Sequence, residues 1–172
     1  MTVHEKPVGG SVEWFTPSSL FNALLSWRSD DAVFWLDPAS AESPYNRVPA
    51  VRKFTKAQDG LSRPWDGHVW LNPPYGPAGV RFVDRMVEHG DGLLLLPSRT
   101  ETRVYQRAFA AADVVCLLRD RLWFTRGDGY TGRSSFGSTL FAFGDWAAHI
   151  VRDADLGVIA RAGSAIQEAV AA

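Results

Sequence analysis

The four residues Asn72-Pro73-Pro74-Tyr75 constrain the fold of this 172-residue chain more than any other feature. They follow a short apolar run, His68 to Leu71, that is typical of a buried strand. Proline has a fixed φ angle and no backbone N–H, so two successive prolines stop a strand abruptly. We therefore expect the Asn72 amide, the Pro73 carbonyl and the Tyr75 ring to be held rigidly at the carboxyl end of this strand, where open α/β sheets bind their ligands.

Apolar runs and helical patterns alternate along the rest of the chain. Strands are predicted at 33–36, 52–56, 68–71, 93–96, 114–118 (extending to 124) and 139–143, and helices at 16–28, 77–89 and 102–112. This alternation predicts an α/β fold with a mainly parallel sheet, one antiparallel strand and helices on both faces. We expect residues 1–11 to be disordered, 12–146 to form one domain and 147–172 to form a helical tail.

The composition, 46% apolar and 22% charged residues, fits a single domain with a substantial core. The one cysteine, Cys116, lies in an apolar run, so neither a disulfide framework nor a cysteine zinc cluster is predicted. No apolar stretch approaches the ~20 residues that span a bilayer, and the first residues lack the pattern of a signal peptide. We therefore expect a cytoplasmic protein with no membrane partner.

The formal net charge of -1 conceals an uneven distribution. Residues 45–64 carry five basic side chains against Asp59 alone, and residues 99–133 carry seven arginines against four acidic residues. Each of these charges alone could simply solvate a loop. Together the two clusters favour a surface that faces phosphate groups, as in a nucleic-acid-binding protein.

The Asn-Pro-Pro-Tyr corner also has a chemical use. An exocyclic amino group on a base is a poor nucleophile because its lone pair is delocalised into the ring. If the Asn72 side-chain oxygen and the Pro73 carbonyl each accept one N–H bond, the nitrogen lone pair is aimed at an incoming methyl group. Tyr75 can stack on the base, and no metal is needed. The alternative is a proline-rich turn; the strand-tip position favours amino-group methylation.

Two further segments suit a methyl donor. Trp14-Phe15-Thr16-Pro17 opens a helix whose free N–H groups could bind a carboxylate, with Thr16 as its N-cap. Asp37 ends another apolar strand and could accept hydrogen bonds from the donor's ammonium group or hydroxyls. A plain helix cap and a turn aspartate before Pro38 are the alternatives.

Taken together, these segments resemble the phage-type DNA N6-adenine methyltransferases of the Dam-like family, over roughly residues 13–144. The matching segments are Glu13 to Pro17, Leu36 to Ser40, Asp59 to Leu61 with Pro64-Trp65, Val69 to Gly76, Leu94 to Thr102, Arg121 to Phe124 and Ser135 to Leu140. The resemblance implies a reduced Rossmann-like methyltransferase fold that uses S-adenosylmethionine to methylate adenine N6 in DNA.

The resemblance also implies roles for individual residues. Asn72, Pro73, Pro74 and Tyr75 would hold a flipped adenine, with Phe124 on the opposite side of the base; the alternative for Phe124 is a core aromatic. S-adenosylmethionine would be bound by Trp14, Phe15, Thr16, Pro17, Asp37, Ala39 and Asp59. Phosphate contacts would come from Arg99, Thr100, Arg119 and Arg121.

The chain departs from methyltransferases at large in two ways. Residues 37–40 lack the glycine-rich turn that usually follows the first strand, so another segment must close the donor pocket. We expect no separate target-recognition domain within these 172 residues, so specificity is expected to come from 45–64 or from the 125–135 loop, or to be low. Cytosine N4 methylation, methylation of a protein glutamine or of RNA, and a catalytically inactive DNA-binding module stay open as alternatives.

Overall fold

The computed structural model describes residues 13–25 and 34–160. Its helices are α1 (Ser18–Leu25), α2 (Pro77–His89), α3 (Arg103–Ala111) and α4 (Gly144–Asp153). Its strands are β1 (Trp14–Phe15), β2 (Phe34–Ser40), β3 (Ala50–Thr55), β4 (Val69–Leu71), β5 (Gly92–Pro97), β6 (Val114–Leu118), β7 (Trp123–Arg126), β8 (Thr131–Arg133), β9 (Ser138–Phe143) and β10 (Gly157–Ala160). A short 3-10 turn at Lys56–Gln58 follows β3.

Seven strands form the central sheet, in the order β10-β6-β9-β5-β4-β2-β3. The pairs β2–β3, β2–β4 and β4–β5 are parallel, whereas β5–β9, β6–β9 and β6–β10 are antiparallel. The sheet is therefore mixed, and the prediction of a mainly parallel sheet with one antiparallel strand holds only in part. The predicted strand at 139–143 does run antiparallel to its neighbours, and β10 is the second reversed strand.

The tail departs from its predicted helical structure. Helix α4 ends at Asp153, and residues Gly157–Ala160 form strand β10 against β6. Val158 and Ile159 are β-branched and suit a strand, and pairing with β6 satisfies their backbone groups. The prediction of a helical tail is thus wrong for 157–160, while 161–172 and the disorder predicted for 1–11 lie outside the described residues.

A separate three-stranded sheet is formed by β1, β7 and β8. The predicted extension of the strand at 114–118 to Phe124 is wrong, because β6 ends at Leu118 and β7 starts a new strand at Trp123. Strands β7 and β8 form a hairpin whose turn places Gly129 at φ 88°, a conformation that favours glycine. The segment 125–135, predicted as a loop, is therefore largely a hairpin.

Helices pack on both faces of the central sheet, as the strand–helix alternation predicts. Leu93 and Leu95 of β5 face a core shared with α1 and α4, whereas Leu94 and Leu96 face a core shared with α2 and α3. This two-sided burial explains the continuous leucine run of β5. Cys116 lies fully buried in the first core, and burial raises the pKa of its thiol to about 11.

The parallel strands place their carboxyl ends at one edge of the sheet. Strand β2 ends there at Ser40, β4 at Leu71 and β5 at Pro97. The loops that follow these ends therefore lie side by side. Within 13–25 and 34–160, no helix has the length and apolar character needed to cross a membrane.

Candidate active site

The corner at 72–75 is fixed from two sides. On one side it follows directly from strand β4. On the other side helix α2 packs against it through the buried Gly79, where an added Cβ would lie 2.0 Å from the Pro74 carbonyl oxygen. The Gly79 N–H donates to the Gly76 carbonyl at 3.0 Å. No side chain larger than hydrogen fits at position 79 without moving the corner.

Strand β1 holds the side chain of Asn72. The Asn72 Nδ2 group donates to the Trp14 carbonyl oxygen at 3.4 Å and to the Thr16 hydroxyl at 3.3 Å. Because a carbonyl can only accept, the NH2 end of the amide must face β1. Asn72 Oδ1 accepts no hydrogen bond from the described residues, so it is available to a ligand.

A small pocket of about 10 Å³ opens beside this amide. It is lined by Asn72, Tyr75, Leu95, Leu96, Pro97, Phe124, Ser134 and Ser138. Tyr75 is 72% exposed and Phe124 is half-buried on β7. The structure thus brings together the corner and the aromatic residue that the sequence predicts opposite it.

Asp37 lies buried near the carboxyl end of β2, only 4% exposed. Burial raises the pKa of its carboxyl to about 7, although the Ala39 N–H, the Ser40 side chain and the charge of Lys53 lower it. The Ala39 N–H donates to Asp37 Oδ1 at 3.2 Å. Because burial outweighs these three interactions, the carboxyl is suited to a positively charged ligand.

The segment 59–65 closes over the end of β2, where the glycine-rich turn is missing. Gly60 is buried against the backbone of Pro38, and its carbonyl accepts a hydrogen bond from Trp65 Nε1 at 2.8 Å. Asp59 is exposed beside it, with φ 48°, and its Oδ1 accepts the Leu61 N–H at 3.3 Å. This segment therefore places Asp59 close to the Asp37 strand end.

Thr16 does not cap helix α1. The helix begins at Ser18, so Thr16 precedes the capping position, and its hydroxyl instead contacts Asn72. The Pro17 carbonyl accepts the Leu20 N–H at 3.1 Å, and Phe15 and Thr16 are buried. The N-cap prediction is wrong because the chain pairs with β7 up to Phe15 and turns into the helix later.

The four predicted phosphate-contacting residues follow β5 and β6. Arg99 pairs with Glu101 at 3.1 Å and lies over the Phe136 ring, and the exposed Thr100 uses its carbonyl to accept from Gln106. Arg119 pairs with Asp155 at 3.1 Å. Arg121 is exposed and forms no ion pair with any described residue.

Sequence reasoning missed several residues that shape the site. Gly60 and Gly79 allow close backbone approach, and Ser134 and Ser138 line the pocket. The close packing at Gly79 had a signal, since a glycine in the first turn of a helix is unfavourable unless something packs on it. No sequence signal indicated Ser134 and Ser138, because their positions depend on the path of the chain from the β7–β8 hairpin to β9.

The fold is a mixed α/β sheet with helices on both faces and is consistent with a methyltransferase-like protein. A model of the DNA N-6-adenine-methyltransferase (Dam) family matches residues 6–151. The chain belongs to this family, whose members methylate adenine in DNA and take their methyl group from S-adenosylmethionine. Comparison with curated proteins and with solved structures found no match.

Proposed function

We propose that this protein methylates the N6 amino group of an adenine that is flipped out of DNA, using S-adenosylmethionine and the corner at 72–75. The observation that carries the proposal is the orientation of the Asn72 amide. Its NH2 end is engaged by β1, so it offers an acceptor at a pocket with aromatic residues. An amino group has N–H donors, and a free acceptor is what it requires.

The corner would act by holding the amino group rather than by taking a proton from it in a separate step. Asn72 Oδ1 and the Pro73 carbonyl oxygen each accept a hydrogen bond from one N–H of the adenine amino group. These two bonds direct the lone pair of the amino nitrogen away from the plane of the adenine ring. Tyr75 and Phe124 stack on the base from the two sides of the pocket. These contacts offset the few kcal/mol that unstacking a base costs.

The chemistry at the carboxyl end of β2 fits the donor. The buried Asp37 carboxyl suits a cationic ligand, and segment 59–60 beside it supplies backbone groups and the Asp59 carboxylate. Segment 14–17 lies at the end of the adjacent strand β4, where it contacts Asn72, and supplies further backbone groups. When bound, S-adenosylmethionine supplies an electrophilic methyl group attached to a positively charged sulfur. We assign its binding to Trp14, Phe15, Thr16, Pro17, Asp37, Ala39 and Asp59.

The hairpin β7–β8 and the loops around it offer a surface for the DNA strand. Three aromatic side chains here are at least half exposed: Trp123, Tyr130 and Phe136. Two arginines of the same region, Arg121 and Arg133, are also exposed. Aromatic side chains stack on bases and arginines contact phosphates, so the combination suits DNA with local unpairing. Arg99 lies two residues after the pocket-lining Pro97, and its guanidinium group lies over the Phe136 ring.

The test is to incubate the protein with labelled S-adenosylmethionine and unmethylated DNA, digest the DNA and identify the modified nucleoside. We expect label in N6-methyl-2′-deoxyadenosine. Label in N4-methyl-2′-deoxycytidine would overturn the assignment of the base, and label only in protein or RNA would overturn the substrate class. DNA binding without any transfer would indicate an inactive binding module.

A second experiment separates the corner from the donor site. Asn72→Ala should abolish transfer while donor binding, measured by calorimetry, persists. Asn72→Ala with normal turnover would refute the proposed role of the corner.

A further inference from the structure

The hydroxyl of Thr16 lies at a position that neither the strand pairing nor the helix requires. Thr16 is 4% exposed, and its hydroxyl contacts Asn72 Nδ2 at 3.3 Å rather than capping α1. Among the described residues, Asn72 is the hydroxyl's only hydrogen-bond partner. A buried hydroxyl with a single partner on the corner at 72–75 points to a role in that corner.

The amide of Asn72 has two N–H donors and one oxygen acceptor. The Trp14 carbonyl and the Thr16 hydroxyl both accept from Asn72 Nδ2. After a half-turn the amide oxygen would face the Trp14 carbonyl oxygen, whereas the Thr16 hydroxyl can donate as well as accept and could pair with either end. The Trp14 carbonyl therefore selects the end of the amide that meets the base, and Thr16 gives the side chain a second point of attachment that fixes its position.

We infer that Thr16 is a positioning residue for amino-group transfer: its hydroxyl holds the Asn72 side chain in place, in the orientation that the Trp14 carbonyl selects, so that Oδ1 stays directed to the target nitrogen. This inference rests on the proposed function of the corner. Segment 14–17 would meet the donor through its backbone groups, so removal of the Thr16 hydroxyl should slow the transfer step without lowering donor affinity. A misplaced reacting group slows an enzyme by up to about a hundredfold.

The experiment compares Thr16→Val, which has the same shape without the hydroxyl, with Thr16→Ser, which keeps it. Ser19→Ala removes an exposed hydroxyl from the start of α1 and serves as the matched control. We measure kcat on DNA at saturating donor, and the donor Kd by calorimetry. Thr16→Val should lower kcat about tenfold to a hundredfold with donor Kd unchanged, whereas Thr16→Ser and Ser19→Ala should retain kcat.

A Thr16→Val enzyme with wild-type kcat would overturn the inference, and so would a loss confined to donor Kd, which would return Thr16 to the donor site. Side-chain amide resonances of Asn72, assigned by their disappearance in Asn72→Asp, give a readout independent of activity. They should shift and exchange faster with water in Thr16→Val but not in Ser19→Ala. If the wild type methylates no DNA, the proposed function fails, and unchanged amide resonances in Thr16→Val would separately refute the hydrogen bond.

Discussion

Gly60 approaches Pro38 so closely that a Cβ on Gly60 would lie 1.9 Å from the Pro38 carbonyl oxygen. The segment that carries Asp59 can close over the end of β2 only because position 60 has no side chain. We predict that Gly60→Ala displaces this segment and weakens S-adenosylmethionine binding at least tenfold, a loss of about 1.4 kcal/mol. Calorimetry checks this, with Ala57→Ser at an exposed position of the preceding turn as a control. Equal donor affinity in Gly60→Ala and wild type would contradict the placement of the donor here.

The raised pKa of Asp37 predicts how stability depends on pH. The native carboxyl, with a pKa of about 7, holds its proton where an unfolded one with a pKa of 3.8 has lost it. The stabilisation is therefore complete below pH 4 and is lost as pH rises through 7, amounting to about 4 kcal/mol. The free energy of unfolding of Asp37→Asn, measured in urea from pH 4 to 8, should lack this decline. Parallel pH profiles for the two proteins would show that Asp37 does not titrate in this range.

The same carboxyl predicts a pH dependence of donor binding. Only the ionised form of Asp37 attracts a cationic donor through its charge, so wild-type affinity for S-adenosylmethionine should rise as pH increases through about 7. Affinity of Asp37→Asn should be weaker above pH 7 and should show less rise. Titrating both proteins at each pH cancels any ionisation of the donor itself. A rise of the same size in both would remove Asp37 from the donor site.

Phe124 is predicted to matter through its aromatic face. Base stacking on an aromatic side chain contributes about 1–3 kcal/mol, so Phe124→Leu should lower kcat/KM for DNA about fivefold to 150-fold. Phe124→Tyr keeps the ring and should stay near wild type. If both variants behave alike, Phe124 is a core residue, consistent with its packing against the core on the α1 side.

Arg119 and Arg121 form a natural pair for testing phosphate contacts. Arg119 is engaged by Asp155, whereas Arg121 is exposed without an ion pair among the residues described. Arg121→Ala should weaken binding to all duplex sequences and reduce the slope of log affinity against log salt by about 0.9. Arg119→Ala should change the slope less. A larger effect at Arg119 would show that its pair with Asp155 opens on DNA.

Local signals made much of the fold predictable. Helix α2 runs from Pro77 to His89 as predicted, because proline favours the first helical position and Gly90 adopts the left-handed conformation that ends it. The leucine run of β5 and the sharp stop after β4 were equally clear. These elements were predictable because each depends on the conformational preferences of residues within one turn or one strand.

Features that depend on distant partners were not predictable. Strand β1 exists because it pairs with β7, and nothing within Trp14-Phe15 indicates that partner. For the same reason the sequence predicted that Thr16 belongs to the site but did not predict its contact with Asn72. Strand β10 was hidden by an alanine-rich context, and the raised pKa of Asp37 follows from burial, which only the packed structure reveals.

Strand β1 also bears on the order in which the molecule assembles. Trp14 contacts both Asn72 and Arg126, which lie far along the chain. Contacts that close such long loops form late in folding. The central sheet can therefore be fully formed before Trp14 and Thr16 pack against the Asn72 side chain. Amide hydrogen exchange at Trp14 and Phe15 would then report the fraction of molecules competent for catalysis, a quantity that a global unfolding curve does not measure.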